Sequence, residues 1–239
     1  PHGIGSRCAL TRRAALAWTD VEDLPGSGDC EARLETWGQP VLLATSAAYI
    51  VAALFALWWL RRHNSRSAPI PAAQVWAFAA GLVLAGLGSM DYHGPAYGPE
   101  PLLHDAGLAI ALVAALSIDL AQLGIQRSRR LIALVSLTLI AIAIIAVFPA
   151  ISPALAGVAA VGLVIAEFLV YRRHLRIPGP ALYAGLTALA VGVVIFSLSR
   201  TGGPICDPDS WFQGHGVWHV LTALALALWA VTALPDKEA

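Results

Sequence analysis

Charge is what this sequence has least of. Only 13% of its 239 residues are charged, against roughly 25% in a typical soluble domain, and lysine occurs once, at Lys237. Lys and Arg together number 15, as do Asp and Glu, so the formal net charge is zero and no overall basic field exists to attract nucleic acid. None of the usual nucleic-acid recognition motifs occurs either. The composition excludes a nucleic-acid-binding protein and disfavours a soluble globular domain.

Long apolar runs are abundant instead. Hydrophobic residues make up 58% of the chain and the mean hydropathy is +0.69, more apolar surface than one soluble core of this size buries. A helix needs about 20 mostly apolar residues to cross a bilayer. Seven such runs occur, at residues 40–60, 71–90, 103–124, 131–148, 153–171, 180–199 and 214–234. We predict an all-α, polytopic membrane protein built as a bundle of seven transmembrane helices.

The distribution of arginine predicts the orientation of this bundle. The loops after spans one, three and five carry most of the arginines, and the loops after spans two, four and six carry only Arg200. Because basic residues near span ends stay in the cytoplasm, we expect the N-terminus outside and the C-terminus inside. The predicted organisation is a polar extracytoplasmic segment (residues 1–39), a transmembrane domain (40–234) and a cytoplasmic tail (235–239). No signal peptide is recognised, and a start at Pro1 rather than Met is expected of a trimmed chain or a fragment.

The three cysteines all fall on the outer side of this topology. An oxidising compartment there permits disulfides. Cys30 directly precedes span one and Cys206 precedes span seven, so we predict a bridge between them, with Cys8 left over. The alternative is that all three remain reduced, since sequence alone does not establish connectivity.

Polar side chains gather at the outer ends of three spans. Ionisable groups inside or beside a span are costly and therefore indicate function. Span two runs outward, and spans three and seven run inward, so residues at these ends are expected to meet at one depth. The candidate site consists of Ser89, His93, Asp105, His215 and His219.

The spacing of these histidines indicates a metal site. His215 and His219 are four residues apart, which places them on one helix face about 6 Å apart along the axis and excludes opposite axial haem ligands. His93 would complete a three-histidine set, and three protein ligands with one open position are typical of catalytic zinc, although imidazole also accepts other transition metals. Asp105 is expected to transfer a proton, and the Ser89 hydroxyl to stabilise an oxyanion or orient the carboxylate.

Each candidate also has an ordinary structural explanation. His93 alone is compatible with an interfacial anchor, and Ser89 with a hydrogen bond to a carbonyl of its own helix. His104 and Asp105 are suited to starting span three; we leave His104 out of the site because its side chain points about 100° away from that of Asp105. Two further acids near inner span ends are expected to be solvated at the membrane surface: Asp119 and Glu167.

The order of these motifs resembles a known family. Ser89-x3-His93, then Asp105, then His215-x3-His219 over seven spans are similar to the CREST superfamily of membrane hydrolases and receptors. The segment 206–219 and the motif Asp29-Cys30-Glu31 look most like its alkaline ceramidase branch, which shares the outside N-terminus.

The resemblance implies a function, a cofactor set and a substrate class. It implies a zinc-dependent amidohydrolase, acting on a linear amide C–N bond, with zinc on the three histidines and with Asp105 and Ser89 assisting. The substrate would be a ceramide-like membrane lipid, cleaved at the outer side of the membrane to a sphingoid base or amino lipid and a fatty acid. Calcium is a further implied ligand at Glu31, with Gln39 standing where another carboxylate is expected. No protein partner is implied.

Two other functions remain open at this point. One is a seven-helix lipid-sensing receptor of the adiponectin and progestin receptor type, in which the zinc is structural. The other is a transporter, which is less favoured because no span interior carries a paired charge and no helix is visibly broken at mid-membrane.

Overall fold

The computed structural model describes residues 28–63, 70–95 and 100–233. Within these ranges the chain forms eight α-helices and a short 3-10 turn at Pro149–Ile151. The helices are α1 (Pro40–Thr45), α2 (Ala47–His63), α3 (Ala72–His93), α4 (Glu100–Gln122), α5 (Arg127–Val147), α6 (Ser152–Arg172), α7 (Pro180–Leu198) and α8 (Gly214–Thr232).

Seven helical segments are long and apolar enough to cross a membrane, as the sequence predicts. Each coincides with a predicted run to within a few residues, and α1 and α2 together form the first. Residues 1–27 of the polar segment, which include Cys8, and the tail 235–239 with Lys237 lie outside the described residues. The orientation of the bundle stays a prediction.

The first span is interrupted at Ser46, which the apolar pattern does not predict. The Ser46 hydroxyl donates to the carbonyl of Leu42 at 2.7 Å, and the Thr45 hydroxyl donates to that of Val41 at 2.8 Å. Serine and threonine that bond back to their own helix compete with its backbone and bend it. The interruption leaves both hydroxyls on the interior side of the span.

Small residues bring α3 and α4 into close contact. A side chain at Gly81 would overlap the backbone of Ala111, and one at Gly107 would overlap the backbone of Ala85. Such close backbone approach is the usual basis of helix association in membranes, where lipid is as apolar as leucine. This pair forms the centre of the bundle, and it fixes which residues of α4 face α3.

The other helices pack around this pair. α2 lies between α3 and α8, α5 and α6 contact α4, and α7 packs on α8. Among the described helices, α6 and α7 share no interface as large as the one between α7 and α8 or between α4 and α6. Large apolar side chains on α5, α6 and α7 are exposed, as contact with lipid requires: Ile132, Val158, Phe168, Tyr183 and Val194.

A disulfide joins the segment before α1 to the segment before α8. Cys30 bonds to Cys206, which confirms the predicted pairing. Backbone hydrogen bonds run beside it, from Thr201 N–H to the Gly28 carbonyl at 3.2 Å and from Ala32 N–H to the Pro208 carbonyl at 3.0 Å. The two segments therefore form one cover over the end of the bundle where α3 finishes and α8 begins.

An ion cluster lies at the opposite end of the bundle. Arg176 folds back from the α6–α7 loop and pairs with Asp119 and with Glu167, the latter at 2.8 Å. Burial lowers the pKa of Arg176, but the two carboxylates outweigh it and the net shift is upward. The prediction that Asp119 and Glu167 are solvated is wrong: both acquire a cationic partner inside the protein, and the Trp229 indole donates to Glu167.

Removal of the disulfide should destabilise the fold. The bridge closes a sequence separation of 176 residues, and loss of such a constraint costs about 2–4 kcal/mol. We expect Cys206→Ser to lower the midpoint temperature of thermal unfolding in detergent and Cys8→Ser to leave it unchanged. Unreduced wild-type protein should show about one free thiol per chain when denatured; three free thiols would contradict the Cys30–Cys206 bridge.

Candidate metal centre

Three histidines from two helices meet at one end of the bundle. His93 is the last residue of α3, and His215 and His219 lie in the first turns of α8. Their candidate ligand atoms all lie within 4.8 Å of one another. The ring centroids are 5.1 Å apart for His93 and His215, 5.2 Å for His93 and His219, and 4.6 Å for His215 and His219. The structure thus brings together the three predicted ligands.

Gln39 accepts a hydrogen bond from His93 Nδ1, the ring nitrogen that points away from the other two histidines. The Nδ1 atom lies 2.8 Å from the Gln39 carbonyl oxygen Oε1, and the Gln39 amide nitrogen donates to the Glu31 carbonyl at 2.9 Å. Because Oε1 only accepts, the His93 Nδ1 must carry the hydrogen. The adjacent Gly38, with φ 62°, packs against the His93 and Gly94 carbonyls where a side chain would not fit, so the segment can approach α3 closely.

The other two histidines are oriented in the same way. His215 Nδ1 lies 2.6 Å from Asp29 Oδ1, a carboxylate acceptor, and His219 Nδ1 lies 3.2 Å from Thr45 Oγ1. The Thr45 hydroxyl hydrogen is already used on its own helix, so its oxygen accepts from His219. Each ring therefore has its hydrogen on Nδ1 and a lone pair on Nε2.

These lone pairs fit a transition-metal ion. His93 and His219 are fully buried, at 0% exposure, and His93 Nε2 has no hydrogen-bond partner among the described residues. A buried, unsatisfied nitrogen is costly unless a ligand completes it. A neutral imidazole that donates from one nitrogen and binds metal through the other is the usual state of a zinc ligand, and three histidines suit Zn²⁺ well.

Ser89 lies at this site, as predicted. Its Oγ is buried, 3.4 Å from His219 Nε2 and 2.8 Å from the Ser46 hydroxyl. The interruption of the first span thus adds a second hydroxyl group beside the histidines. Because the Ser46 hydrogen is donated to the Leu42 carbonyl, Ser46 accepts from Ser89 and holds its hydroxyl beside His219 Nε2.

Asp105 is placed differently from the prediction. Its Oδ1 lies 2.6 Å from His104 Nδ1, and its Oδ2 accepts from the Ser152 hydroxyl at the start of α6. The reason is the rotation of α4. The face of α4 that contacts α3 carries His104, whose backbone packs on Gly88, so Asp105 is turned toward the start of α6. The structure therefore places His104, rather than Asp105, against α3.

Glu31, the candidate calcium ligand, has a structural role. Its two carboxylate oxygens accept the backbone N–H groups of Val41 and Leu42, at 2.8 and 2.9 Å, and so complete the start of α1. Burial raises the pKa of Glu31, these two hydrogen bonds act against the shift, and the Asp29 charge adds to it. Calcium binding at Glu31 stays a prediction.

Sequence reasoning missed the residues that orient the histidines. Asp29, Gln39 and Thr45 all precede or begin the first span, far from the histidines in sequence. The available signals were two adjacent hydroxyl residues inside an apolar run and an acid beside a bridging cysteine. Neither signal predicts which histidine nitrogen the side chain will contact.

Comparisons with known proteins identify no family for this chain. No protein-family model matches the chain, and no curated protein matches it. The functional argument therefore depends on the geometry of the site.

The site should bind metal through the three histidines. We expect about one zinc per chain in the purified protein, and fewer than about 0.2 in His93→Ala or His219→Ala, because two imidazoles with two waters bind far more weakly than three. His174→Asn is the matched control: this exposed histidine of the α6–α7 loop has φ 56°, which asparagine tolerates. Metal analysis by mass spectrometry measures the content; equal zinc in all four proteins would refute the centre.

Proposed function

We propose that the protein is a zinc-dependent amidohydrolase of the alkaline ceramidase type, cleaving the amide bond of a ceramide-like lipid inside the membrane. The products would be a sphingoid base, or another amino lipid, and a fatty acid. The observation that carries the proposal is the convergence of three histidine ring nitrogens within 4.8 Å of one another, with His93 and His219 fully buried, at the end of an apolar bundle. The motif order shared with the ceramidases supplies the reaction class.

The residues of the centre have distinct roles in this proposal. His93, His215 and His219 would hold the ion, whose chemistry when bound is to polarise a carbonyl and to make water nucleophilic near neutral pH. The Ser89 hydroxyl lies 3.4 Å from His219 Nε2 and would turn its hydrogen from Ser46 to the oxygen that becomes negative as the amide carbon is attacked. Buried surroundings strengthen that hydrogen bond, because the local dielectric is low.

Proton transfer is assigned to His104 paired with Asp105. Asp105 accepts the His104 Nδ1 hydrogen at 2.6 Å and is itself held by Ser152, so the His104 Nε2 is left as a base. The ring of His104 also stacks on Tyr92, 5.9 Å away and next to the ligand His93. An imidazole oriented by a carboxylate is a common general base, and here it would later deliver the proton to the leaving nitrogen.

A lipid substrate suits the surroundings of the centre. The helices adjoining it expose apolar side chains, and α6 and α7 share no comparable interface among the described residues. Acyl chains would lie along the apolar helices, and the amide would lie at the end of the bundle where polar groups are concentrated.

The centre is assigned to the extracytoplasmic side. The arginine-rich loops lie at the end of the bundle away from the histidines, and the disulfide lies at the same end as the histidines. In intact cells expressing a Cys8→Ser background, a membrane-impermeant maleimide should label Asp209→Cys. It should label Arg173→Cys only after permeabilisation. The reverse labelling pattern would contradict this orientation.

Turnover of a lipid amide tests the proposed reaction. Purified wild-type protein should release fatty acid from an N-acyl sphingosine, and His219→Ala should lose this activity together with its zinc. Ser89→Ala should keep zinc and lower kcat by about 10²–10³-fold, because one oxyanion hydrogen bond is lost. His104→Gln should lower kcat by about 10²-fold or more, because the base is lost.

Receptor function is the outcome that would displace this proposal. A receptor with a structural zinc would bind the lipid amide with the same affinity in wild type and Ser89→Ala, and neither protein would release fatty acid. His174→Asn serves again as the control and should match wild type in both binding and release. Zinc bound at full occupancy without turnover of any lipid amide would contradict the hydrolase.

A further inference from the structure

We propose that Asp29 is the positioning residue that makes His215 a metal ligand. The inference rests on the proposed metal centre and concerns a residue outside the membrane spans. Asp29 belongs to the cover formed by the disulfide-linked segments, and its carboxylate is the one that contacts two of the three histidines among the described residues.

The contacts of Asp29 are unequal in a way that singles out His215. Its Oδ1 is 2.6 Å from His215 Nδ1, and its Oδ2 is 3.9 Å from His93 Nδ1, which already has Gln39 as its close acceptor. In the described structure His215 Nδ1 has no other close acceptor, since the ring otherwise contacts the rings of Phe196, His93 and His219. Asp29 is therefore the group that can hold the His215 hydrogen on Nδ1.

Two consequences for metal binding follow from this contact. An imidazole free in water carries its hydrogen mainly on Nε2, which would block the atom that points toward the other ligands. A carboxylate on Nδ1 reverses this preference and leaves the Nε2 lone pair directed at the other ligands. Its negative charge also offsets part of the charge of a divalent ion held by three neutral ligands.

The position of Asp29 is fixed independently of the histidines. Cys30 beside it is bridged to Cys206, and the backbone of Asp29 pairs with that of Arg200. The Arg200 guanidinium also contacts Asp29 Oδ1, at 2.5 Å, but the Arg200 side chain is 44% exposed and the Asp29 side chain only 3%. An exposed partner contributes little, so the disulfide and the backbone hold Asp29 in place and Arg200 is dispensable for its action on His215.

The first test is the zinc affinity of full-length protein purified in detergent, measured by competition with a chromophoric chelator. Asp29→Ala should weaken zinc binding by about 10–100-fold, as loss of a ligand-orienting partner does, and Asp29→Asn by less, because its amide oxygen still accepts the Nδ1 hydrogen. Two controls should stay within about threefold of wild type: Asp209→Ala, an exposed acid in the same cover, and Arg200→Gln, which breaks the ion pair and leaves the contact with His215.

Two spectroscopic measurements separate positioning from a general loss of structure. The visible spectrum of bound Co²⁺ should change in Asp29→Ala and stay the same in Arg200→Gln, because only the former alters a ligand. In metal-free protein labelled with ¹⁵N-histidine, with His215 assigned from a His215→Gln sample, His215 should carry its hydrogen on Nδ1 in wild type. In Asp29→Ala it should become a mixture of both tautomers.

The outcomes distinguish this inference from the proposed function. If wild type binds zinc and folded Asp29→Ala keeps the wild-type affinity and cobalt spectrum, the positioning role is refuted and the metal centre stands. If Arg200→Gln loses as much affinity as Asp29→Ala, the effect comes from the cover as a whole and the specific role of Asp29 is refuted. If wild type binds no metal, the proposed hydrolase fails, and the histidine spectrum of the metal-free protein still decides whether Asp29 orients His215.

Discussion

The hydrogen on each buried imidazole has to be accepted by another group, and the rest of the site depends on this constraint. A neutral histidine has one donor and one acceptor nitrogen, and an apolar bundle supplies few partners for either. Gln39, Asp29 and Thr45 each take one Nδ1 hydrogen. Only because these outward bonds are made do the three Nε2 atoms converge as acceptors, which is the arrangement that a metal ion completes.

Meeting this constraint shapes the backbone around the site. The first span breaks where Thr45 and Ser46 turn their hydroxyls inward, and the segment before it approaches α3 closely enough for Gln39 to reach His93. The disulfide keeps the polar segment that carries Asp29 over the histidines. Irregular backbone is thus concentrated where polar groups must be satisfied, and the remaining helices are regular.

Much of the fold and part of the site were predictable from the sequence. The seven helices follow from apolar runs of sufficient length, and the Cys30–Cys206 bridge follows from where the cysteines lie relative to the spans. The choice between His104 and Asp105 was not predictable, because it depends on how the glycines of α3 and α4 set the rotation of one helix. The role of Asp29 was not predictable either, because it depends on the contact with His215, which lies 186 residues later in the sequence.

The site is built from both ends of the described chain, since Asp29 and Gln39 come before the first span and His215 and His219 lie in the last. During synthesis Asp29 and Thr45 therefore lack their partners, His215 and His219, until α8 has been made. A chain interrupted before α8 would contain only His93 of the three clustered histidines. The three-histidine cluster can therefore form only after the last described span has been synthesised.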